Sequence, residues 1–305
     1  MWWKQRKNMF DGTANILKPP GISSFALIKK LRWLLDEKKA GHTGTLDPAA
    51  AGVLGVCFGK ATKTIPFLDD SRKEYICEMK LGVRTDTLDL EGEVIREDLN
   101  WNQLSQTEVE AVVLSFKGKQ EQVPPMYSAL HYQGKRLYQL ARRGIVVERE
   151  SREVEVFEVQ LLEIDLPIIR FKAEVSRGTY IRSLVRDIAE KLNTNGVMTF
   201  LLRTKSGPFK LEDSVSYEEI EAEGKNLLQT PYDPLDFPHY TIKDEEYQRA
   251  ENGNYLIEDN FVETDIELDV GDYFLLFSES GKFIAISQHL VEDDYHIYQP
   301  LKVFI

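Results

Sequence analysis

The stretch from Tyr180 to Leu192 repeats apolar residues with the period of an amphipathic helix more clearly than any other part of the chain. Its apolar residues fall at positions i, i+3, i+4, i+7 and i+11, namely Ile181, Leu184, Val185, Ile188 and Leu192. A helix with one apolar face has to bury that face against another element. The chain must therefore supply a layer for this helix to cover.

Three segments alternate like half-buried strands and can form that layer: Lys73 to Leu81, Glu153 to Leu162, and Ile168 to Val175. In the first of them, one face carries Tyr75, Cys77, Met79 and Leu81. Pro167 lies in the short connection between the other two segments, which favours an antiparallel pair. Helical and strand patterns alternate irregularly along the chain, so the sequence predicts an α+β fold.

Further elements are marked by their ends. Ser23 or Ser24 is placed to cap a helix that runs to about Leu35. The residues from Gly41 to Gly55 predict a loop that leads into a short helix. Thr107 to Glu110 has the pattern of a capping box, which predicts a helix from there to near Gly118.

A proline-rich stretch between Pro231 and Pro238 predicts a domain boundary. We expect a larger domain over 1–235 and a small, mostly β domain over 240–305. In the second, Tyr273 to Phe277 and Lys282 to Ile286 read as strands joined by a hairpin loop.

The charge of the chain differs between these two regions. The 305 residues hold 38 Lys and Arg against 50 Asp and Glu, a formal charge of −12. Residues 1–210 hold 33 basic and 27 acidic residues, a net +6, whereas 211–305 hold 5 and 23, a net −18. Because phosphate binding favours a basic surface, only the first region is expected to contact a polyanion.

Several classes of protein are disfavoured. Only Cys57 and Cys77 are present, too few for a disulfide framework or a cysteine metal site. No apolar run approaches about 20 residues, and Met1 to Phe10 has no apolar core, so we expect a cytoplasmic protein without a membrane span or signal peptide.

No cofactor motif is complete either. Gly59-Lys60 resembles the end of a nucleotide-binding loop, but Leu54 and Ala61 stand where Gly and Ser or Thr are needed. The histidines lack metal-ligand spacing: His42, His131, His239, His289 and His296. We therefore expect no metal, no nucleotide and no other cofactor.

The segment from Gly41 to Pro48 is the densest in groups suited to chemistry. Gly41 and Gly44 allow close backbone approach to a partner. Asp47-Pro48 has two interpretations. Asp47 could simply cap a following helix, with Pro48 in its first turn. Alternatively, Asp47 is a carboxylate held at the tip of a preorganised loop, available as nucleophile or base.

Similar alternatives apply to three other residues. Arg182 either belongs to a solvated basic face with Arg186 or pairs with a carboxylate and stabilises its charged form. Tyr75 either faces the core or stacks on a base. Lys18, in Lys18-Pro19-Pro20-Gly21, either belongs to a rigid turn or lies near a phosphate or pocket wall.

Residues 120–150 interleave basic and aromatic side chains: Lys135, Arg136, Arg142, Arg143, Arg149, Tyr127, His131, Tyr132 and Tyr138. This mixture suits RNA, whose unstacked bases lie on aromatic rings and whose phosphates meet Arg and Lys. An ordinary amphipathic insertion explains it less well.

Seven segments, in this order over residues 11–210, resemble the TruB family of pseudouridine synthases, the tRNA pseudouridine-55 synthases. They are Asn15 to Ser24, Gly41 to Pro48 with Gly52-Val53-Leu54, Lys73-Glu74-Tyr75, Leu81 to Thr87, Pro124 to Leu130, Arg177 to Arg182, and Leu201 to Gly207. One such match would be weak, but seven in order are specific.

The resemblance implies an isomerase that converts uridine 55 in the T loop of tRNA to pseudouridine without a cofactor. It also implies a mixed, mainly antiparallel sheet flanked by helices, an insertion at about 120–150 that grips the T arm, and a monomer. The end of the chain resembles the PUA-type RNA-binding domain, although its acidic clusters are poor phosphate ligands. We therefore expect this domain to contact tRNA weakly or to be merely stabilising.

The family's functional residues fall on specific positions of this chain. The resemblance makes Asp47 the catalytic aspartate, Tyr75 the tyrosine that stacks on the target uracil, and Arg182 the arginine paired with Asp47. Substrate-binding positions fall on Lys18, His42, Tyr180 and Leu201, with His42 contacting the T loop as the base leaves its stack. A non-catalytic tRNA-binding or tRNA-folding protein on the same scaffold, and a sugar hydrolase, are the alternatives.

Overall fold

Two sheets, one large and one small, organise the part of the chain that the computed structural model describes, residues 11–69, 72–262 and 266–305. The strands are β1 (Gly12–Lys18), β2 (Ala40–His42), β3 (Ala51–Phe58), β4 (Lys73–Leu81), β5 (Val83–Thr85), β6 (Val94–Glu97), β7 (Gly118–Gln122), β8 (His131–Tyr132), β9 (Lys135–Arg136), β10 (Arg152–Asp165), β11 (Ile168–Val175), β12 (Gly196–Ser206), β13 (Phe209–Lys210), β14 (His239–Ile242), β15 (Tyr273–Ser278), β16 (Phe283–Glu292) and β17 (Tyr295–Val303). The α-helices are α1 (Ser24–Leu34), α2 (Ile65–Asp69), α3 (Gln106–Leu114), α4 (Leu137–Ala141), α5 (Ile181–Lys191), α6 (Tyr217–Glu223) and α7 (Tyr247–Glu251).

The large sheet has the order β1-β3-β12-β4-β11-β10-β7, with β2 beside β3 and β13 beside β12. Its pairs are antiparallel except for β3 and β12, which run parallel where Ala51 and Gly52 meet Leu202 and Arg203. Gly52 is required at this contact, because its φ is +112° and a Cβ there would lie 2.2 Å from the Arg203 carbonyl oxygen. The prediction of an α+β fold with a mixed, mainly antiparallel sheet is confirmed.

Helices α5 and α1 cover large parts of this sheet, as the periodic patterns predict. Helix α5 buries Ile181, Leu184, Val185 and Ile188 against the apolar face of β4 and β11. Helix α1 buries Leu27, Ile28 and Leu31 against β1 and β3, and the Ser23 hydroxyl caps it by accepting the Ala26 N–H at 3.1 Å. Both helices therefore take their positions from a single apolar stripe.

Two local predictions are wrong. No helix follows Asp47; Pro48 and Ala49 form a turn, and strand β3 begins at Ala51 because its apolar residues are buried on both faces. The capping box at Thr107 is also wrong. Ser105 caps helix α3 instead, with its hydroxyl accepting the Glu108 N–H at 3.2 Å, and that helix ends at Leu114.

The small sheet has the order β14-β15-β16-β17, and the hairpin expected around Ser278 to Gly281 joins β15 to β16. One face covers an aromatic core of Tyr240, Phe261, Phe274 and Tyr298. The other face packs on the large sheet, where Leu275, Ile286 and Phe304 meet Val53 and Cys57 of β3. The expectation drawn from Met1 to Phe10 lies outside the described residues. Within them, no helix has the length and apolar character needed to cross a bilayer.

Candidate active site

The loop between β2 and β3 carries Asp47, and a fully buried arginine binds the backbone of this loop. Arg203, on β12, donates from Nε to the Val53 carbonyl at 2.8 Å, from Nη1 to Thr45 at 3.3 Å and from Nη2 to Gly44 at 3.1 Å. Since charged donors make stronger hydrogen bonds than neutral ones, the bonds to Gly44 and Thr45 fix the loop backbone and the bond to Val53 ties it to β3. Arg203 lies within one of the seven matched segments, but no pattern in the sequence marks it as buried or as part of the site.

Lys18 and Ser24 hold the same loop from the other side. The Lys18 ammonium donates to the carbonyls of Ile22 at 2.7 Å, Pro19 at 2.9 Å and Pro48 at 3.2 Å. Burial lowers the pKa of Lys18 from 10.5 to about 8, although the nearby Asp47 charge acts in the opposite direction. The structure thus places Lys18 beneath the loop, in the rigid-turn role, and its three donors leave none directed elsewhere.

Ser24 completes the attachment through a reciprocal pair of bonds. Its hydroxyl accepts the Leu46 N–H and donates to the Leu46 carbonyl, each at 2.9 Å. Leu46 directly precedes Asp47, so the start of α1 and the loop that carries Asp47 are tied together.

Asp47 points at Arg182. The pairing of Arg182 with a carboxylate was one of its two interpretations, and the resemblance named Asp47 as the partner. The Asp47 Oδ2 lies 2.9 Å from the Arg182 Nε. The arginine side chain is only 5% exposed, whereas that of Asp47 is 34% exposed. The carboxylate is therefore oriented by a buried cation and still reachable from solvent, which a nucleophile or base requires.

The remaining nitrogens of Arg182 are also occupied. Nη1 donates to the Thr87 carbonyl and Nη2 to the Tyr127 carbonyl, each at 2.9 Å. Nη1 also lies 3.5 Å from Oδ2 of Asp89, a buried carboxylate. Asp89 was missed from the sequence, where it follows the Leu81 to Thr87 segment and no periodicity marks it as buried. It accepts at Oδ1 from the Thr87 hydroxyl at 2.5 Å and from the Glu91 N–H at 3.1 Å.

Apolar side chains line the wall beside Asp47. Tyr75 is 7% exposed and belongs to one buried cluster with Leu46, Ile181 and Leu201. Tyr180 is the N-cap residue of α5. The Gln122 side chain accepts the Tyr180 N–H at 2.8 Å and donates to the Tyr180 carbonyl at 3.2 Å. Burial raises the pKa of the Tyr180 hydroxyl. The structure therefore places Tyr75 and Leu201 in one buried cluster with Leu46, the neighbour of Asp47, and Tyr180 close enough for the charges of Asp47 and Arg182 to act on its hydroxyl.

His42 stands at the end of β2, where its Nδ1 accepts the Gly44 N–H at 3.2 Å. Two other histidines meet in the small sheet, His289 Nε2 and His296 Nδ1 at 2.8 Å. In the described parts of the chain, no three His, Cys, Asp or Glu side chains form a group that could hold a metal ion.

The 120–150 insertion is anchored at the site by the Tyr127 carbonyl that Arg182 binds. It has a small core of Met126, Leu137 and Leu140, and its strands β8 and β9 and helix α4 are short. Its cationic side chains project into solvent: Lys135, Arg136, Arg142 and Arg143.

This fold and site define the class of protein. A mixed sheet, an aspartate on a loop, an arginine bound to that aspartate and a buried tyrosine are what the resemblance to the pseudouridine synthases implies. The chain also superposes on the protein in "Crystal Structure of a Cbf5-Nop10-Gar1 Complex" with a TM-score of 0.73 and 25% identity, over 96% of this chain and 85% of that one.

Family models identify the particular family. Residues 32–181 match the N-terminal domain of the TruB family pseudouridylate synthases, and residues 182–235 match the C-terminal domain of tRNA pseudouridylate synthase B. Proteins named "tRNA pseudouridine synthase B" are 39% identical in both Clostridium kluyveri, over 92% of this chain and 96% of the relative, and Alkaliphilus oremlandii, over 96% and 97%. The chain therefore belongs to the TruB family of pseudouridylate synthases, which are isomerases.

Proposed function

We propose that this protein converts the uridine at position 55 in the T loop of tRNA to pseudouridine, and that Asp47 is its catalytic residue. The observation that carries the proposal is the Asp47 carboxylate, one third exposed and 2.9 Å from the buried Arg182. The family membership and the relatives named tRNA pseudouridine synthase B support the reaction and its substrate.

The reaction is an isomerisation with no net loss of atoms. The bond between uracil N1 and ribose C1′ breaks, the base turns, and a bond forms between C5 and C1′; a proton leaves C5 and one is gained at N1. A carboxylate beside the nucleotide can serve this sequence by attacking C6, by attacking C1′ or by removing a proton. Each route uses the ionised carboxylate that Arg182 orients.

The target base has to leave its stack before Asp47 can reach it, which costs a few kcal/mol. Stacking on Tyr75 returns about 1–3 kcal/mol. Leu201 and Tyr180 complete the wall of the pocket, His42 contacts the T loop, and the cations of residues 120–150 bind the T arm. Lys18 acts through the loop that it holds.

We also propose the division into a catalytic domain over 1–235 and a small acidic domain over 240–305, in a monomer that acts in the cytoplasm. The last helix before the boundary, α6, packs on β1 through Ile220, whereas β14 opens the separate small sheet. The second domain stabilises β3 and makes only weak contact with tRNA. Because the two regions share buried side chains, its removal would also expose the core face of β3.

The direct test incubates the purified protein with an unmodified tRNA transcript and maps pseudouridine by position. We expect one site of conversion, at position 55, and none in a transcript that carries cytidine there. Conversion at another position would refute the assigned site. Tight binding without any conversion would instead establish the non-catalytic tRNA-binding alternative, and activity on simple glycosides would indicate a hydrolase.

A further inference from the structure

Helix α1 presents an exposed stripe in which aromatic and basic side chains alternate. Trp33 is 80% exposed and Phe25 74% exposed, although large aromatic side chains are usually well buried. Lys29 lies between them at helical spacing i, i+4, i+8, and Arg32 lies beside Trp33. We call Phe25, Lys29, Arg32 and Trp33 the α1 face.

The packing of α1 fixes the direction of this face. Leu27, Ile28 and Leu31 point to the sheet, and Lys30 lies 5.8 Å over the Tyr217 ring at the start of the acidic helix α6. At 100° per residue, Phe25 and Arg32 lie on the opposite flank from Lys30, while Lys29 and Trp33 turn toward solvent. The α1 face is therefore directed away from the carboxylates of α6.

The same face begins at the catalytic loop. Phe25 directly follows Ser24, whose hydroxyl is bonded to both backbone groups of Leu46, next to Asp47. From Phe25 to Trp33 the helix rises about 12 Å, which equals roughly three to four stacked nucleotides. An RNA strand whose target nucleotide lies at Asp47 is thus within reach of the whole face.

The charge of the face is available to a ligand. Over residues 11–69, 72–262 and 266–305, neither Lys29 nor Arg32 forms an ion pair with a carboxylate. Arg32 donates from Nε to the Glu37 carbonyl at 3.4 Å, and the Glu37 carboxylate accepts the Lys39 N–H. Lys38 and Lys39 extend the positive surface beyond the helix.

We propose that the α1 face is a second RNA-binding surface, which contacts phosphates and unpaired bases of the tRNA outside the target nucleotide. Exposed cations interleaved with exposed aromatic rings match a polyanion that carries stackable bases. This proposal rests on the proposed function for the identity of the RNA. It adds a contact surface distinct from the 120–150 insertion.

The test compares two charge reversals on one helix. We expect the double variant Lys29→Glu, Arg32→Glu to bind unmodified tRNA on the order of tenfold more weakly and to lower the slope of log affinity against log salt by about 2. Lys30→Glu, on the α6 flank, is the matched control and should bind like the wild type. Equal weakening by Lys30→Glu, or wild-type affinity and slope in the double variant, would overturn the proposal.

Substitution of Trp33 provides a second, independent test in which no charge is changed. Trp33→Ala should weaken tRNA binding roughly fivefold or more through lost stacking, and Trp33→Phe should restore most of it. Equal affinity of both variants and the wild type would overturn the stacking contact. Because these side chains are exposed, circular dichroism should show folded variants; if the double variant does not fold, the Trp33 pair decides.

Two further measurements separate this proposal from others. If the protein without RNA dimerises in sedimentation and Trp33→Ala abolishes the dimer, then the face binds a second copy, whose C-terminal region is acidic, and the RNA proposal is wrong. Conversion of uridine 55 by the wild type is measured in parallel. A wild type that binds tRNA through the α1 face but forms no pseudouridine refutes the proposed function and leaves this surface intact.

Discussion

The two sheets of this protein differ most in what they bury. The large sheet and the segments packed around it bury several charged side chains, Lys18, Arg182, Arg203 and Asp89 among them, whereas the small sheet covers a core built largely of aromatic rings. Burying a charge costs free energy, and well-packed apolar residues often stabilise a fold as well or better. The small sheet is an example of such apolar packing, with aromatic pairs such as Tyr240 and Phe274 in a T-shaped contact at 5.7 Å.

We infer that three of the buried cations, Lys18, Arg182 and Arg203, position the site in addition to their part in the fold. Each of these cations binds Asp47 or the loop that carries it: Lys18 at Pro48, Arg203 at Thr45 and Gly44, and Arg182 at Asp47 itself. A site that is fixed before substrate arrives needs no reorganisation during the reaction. The small sheet supports the loop indirectly, because it packs against β3, the strand that follows the loop.

Among the residues around Asp47, the largest effect is expected from Arg182→Met. It leaves Asp47 and the buried Asp89 without their shared cation, and loss of one partner from a buried ion pair costs about 3–5 kcal/mol. We expect single-turnover conversion of tRNA to fall by roughly 10²–10³-fold or more. Arg186→Met, one turn further along α5, is the control and should keep most of the rate. A wild-type rate in Arg182→Met would show that the pair is only structural.

Arg203→Met tests whether the loop depends on its buried cation. Three carbonyl groups lose a charged donor, and each such bond contributes about 1.5–3 kcal/mol. We expect the free energy of unfolding, measured in urea, to fall by at least about 3 kcal/mol. Arg203→Lys should restore part of it. An unchanged unfolding midpoint in Arg203→Met would contradict the role given to this residue.

The lowered pKa of Lys18 predicts that the difference in unfolding free energy between the wild type and Lys18→Met depends on pH. Since burial lowers this pKa to about 8 in the folded state, against 10.5 ordinarily, the unfolded chain binds more protons between these pH values. Stability contributed by this group therefore rises with pH in that window. Between pH 7 and 10 the wild type should gain about 1–3 kcal/mol of unfolding free energy relative to Lys18→Met. A constant difference across that range would refute the lowered pKa.

The smallest effect is expected in the small sheet. Replacing the cluster Glu292, Asp293 and Asp294 by Gln, Asn and Asn should change tRNA affinity by less than about threefold, because weakly contacting charges are largely screened by salt. A much larger gain or loss in a filter-binding assay would show that the acidic domain contacts tRNA closely. Both regions of the molecule would then take part in tRNA binding.

Prediction from sequence succeeded where the spacing of apolar residues reflects a single buried face. The period of α5 and the alternation of β4 both follow from one buried face, and the resemblance supplied Asp47, Tyr75 and Arg182. The Ala-, Gly- and Pro-rich start of β3 was read as a helix because its burial on two faces depends on strands distant in sequence. Asp89 was missed, and Arg203 was given no role, for a related reason: a buried charge is set by partners far along the chain.

The central claim is that the Asp47 carboxylate performs the chemistry while the surrounding cations hold it in place. Asp47→Asn removes the charge and keeps the size of the side chain, and Asp47→Ala guards against reversion by deamidation. The most direct measurement compares, for both variants, the single-turnover formation of pseudouridine and the affinity for unmodified tRNA. We predict no detectable pseudouridine with affinity close to that of the wild type; turnover like that of the wild type in Asp47→Ala would contradict the account.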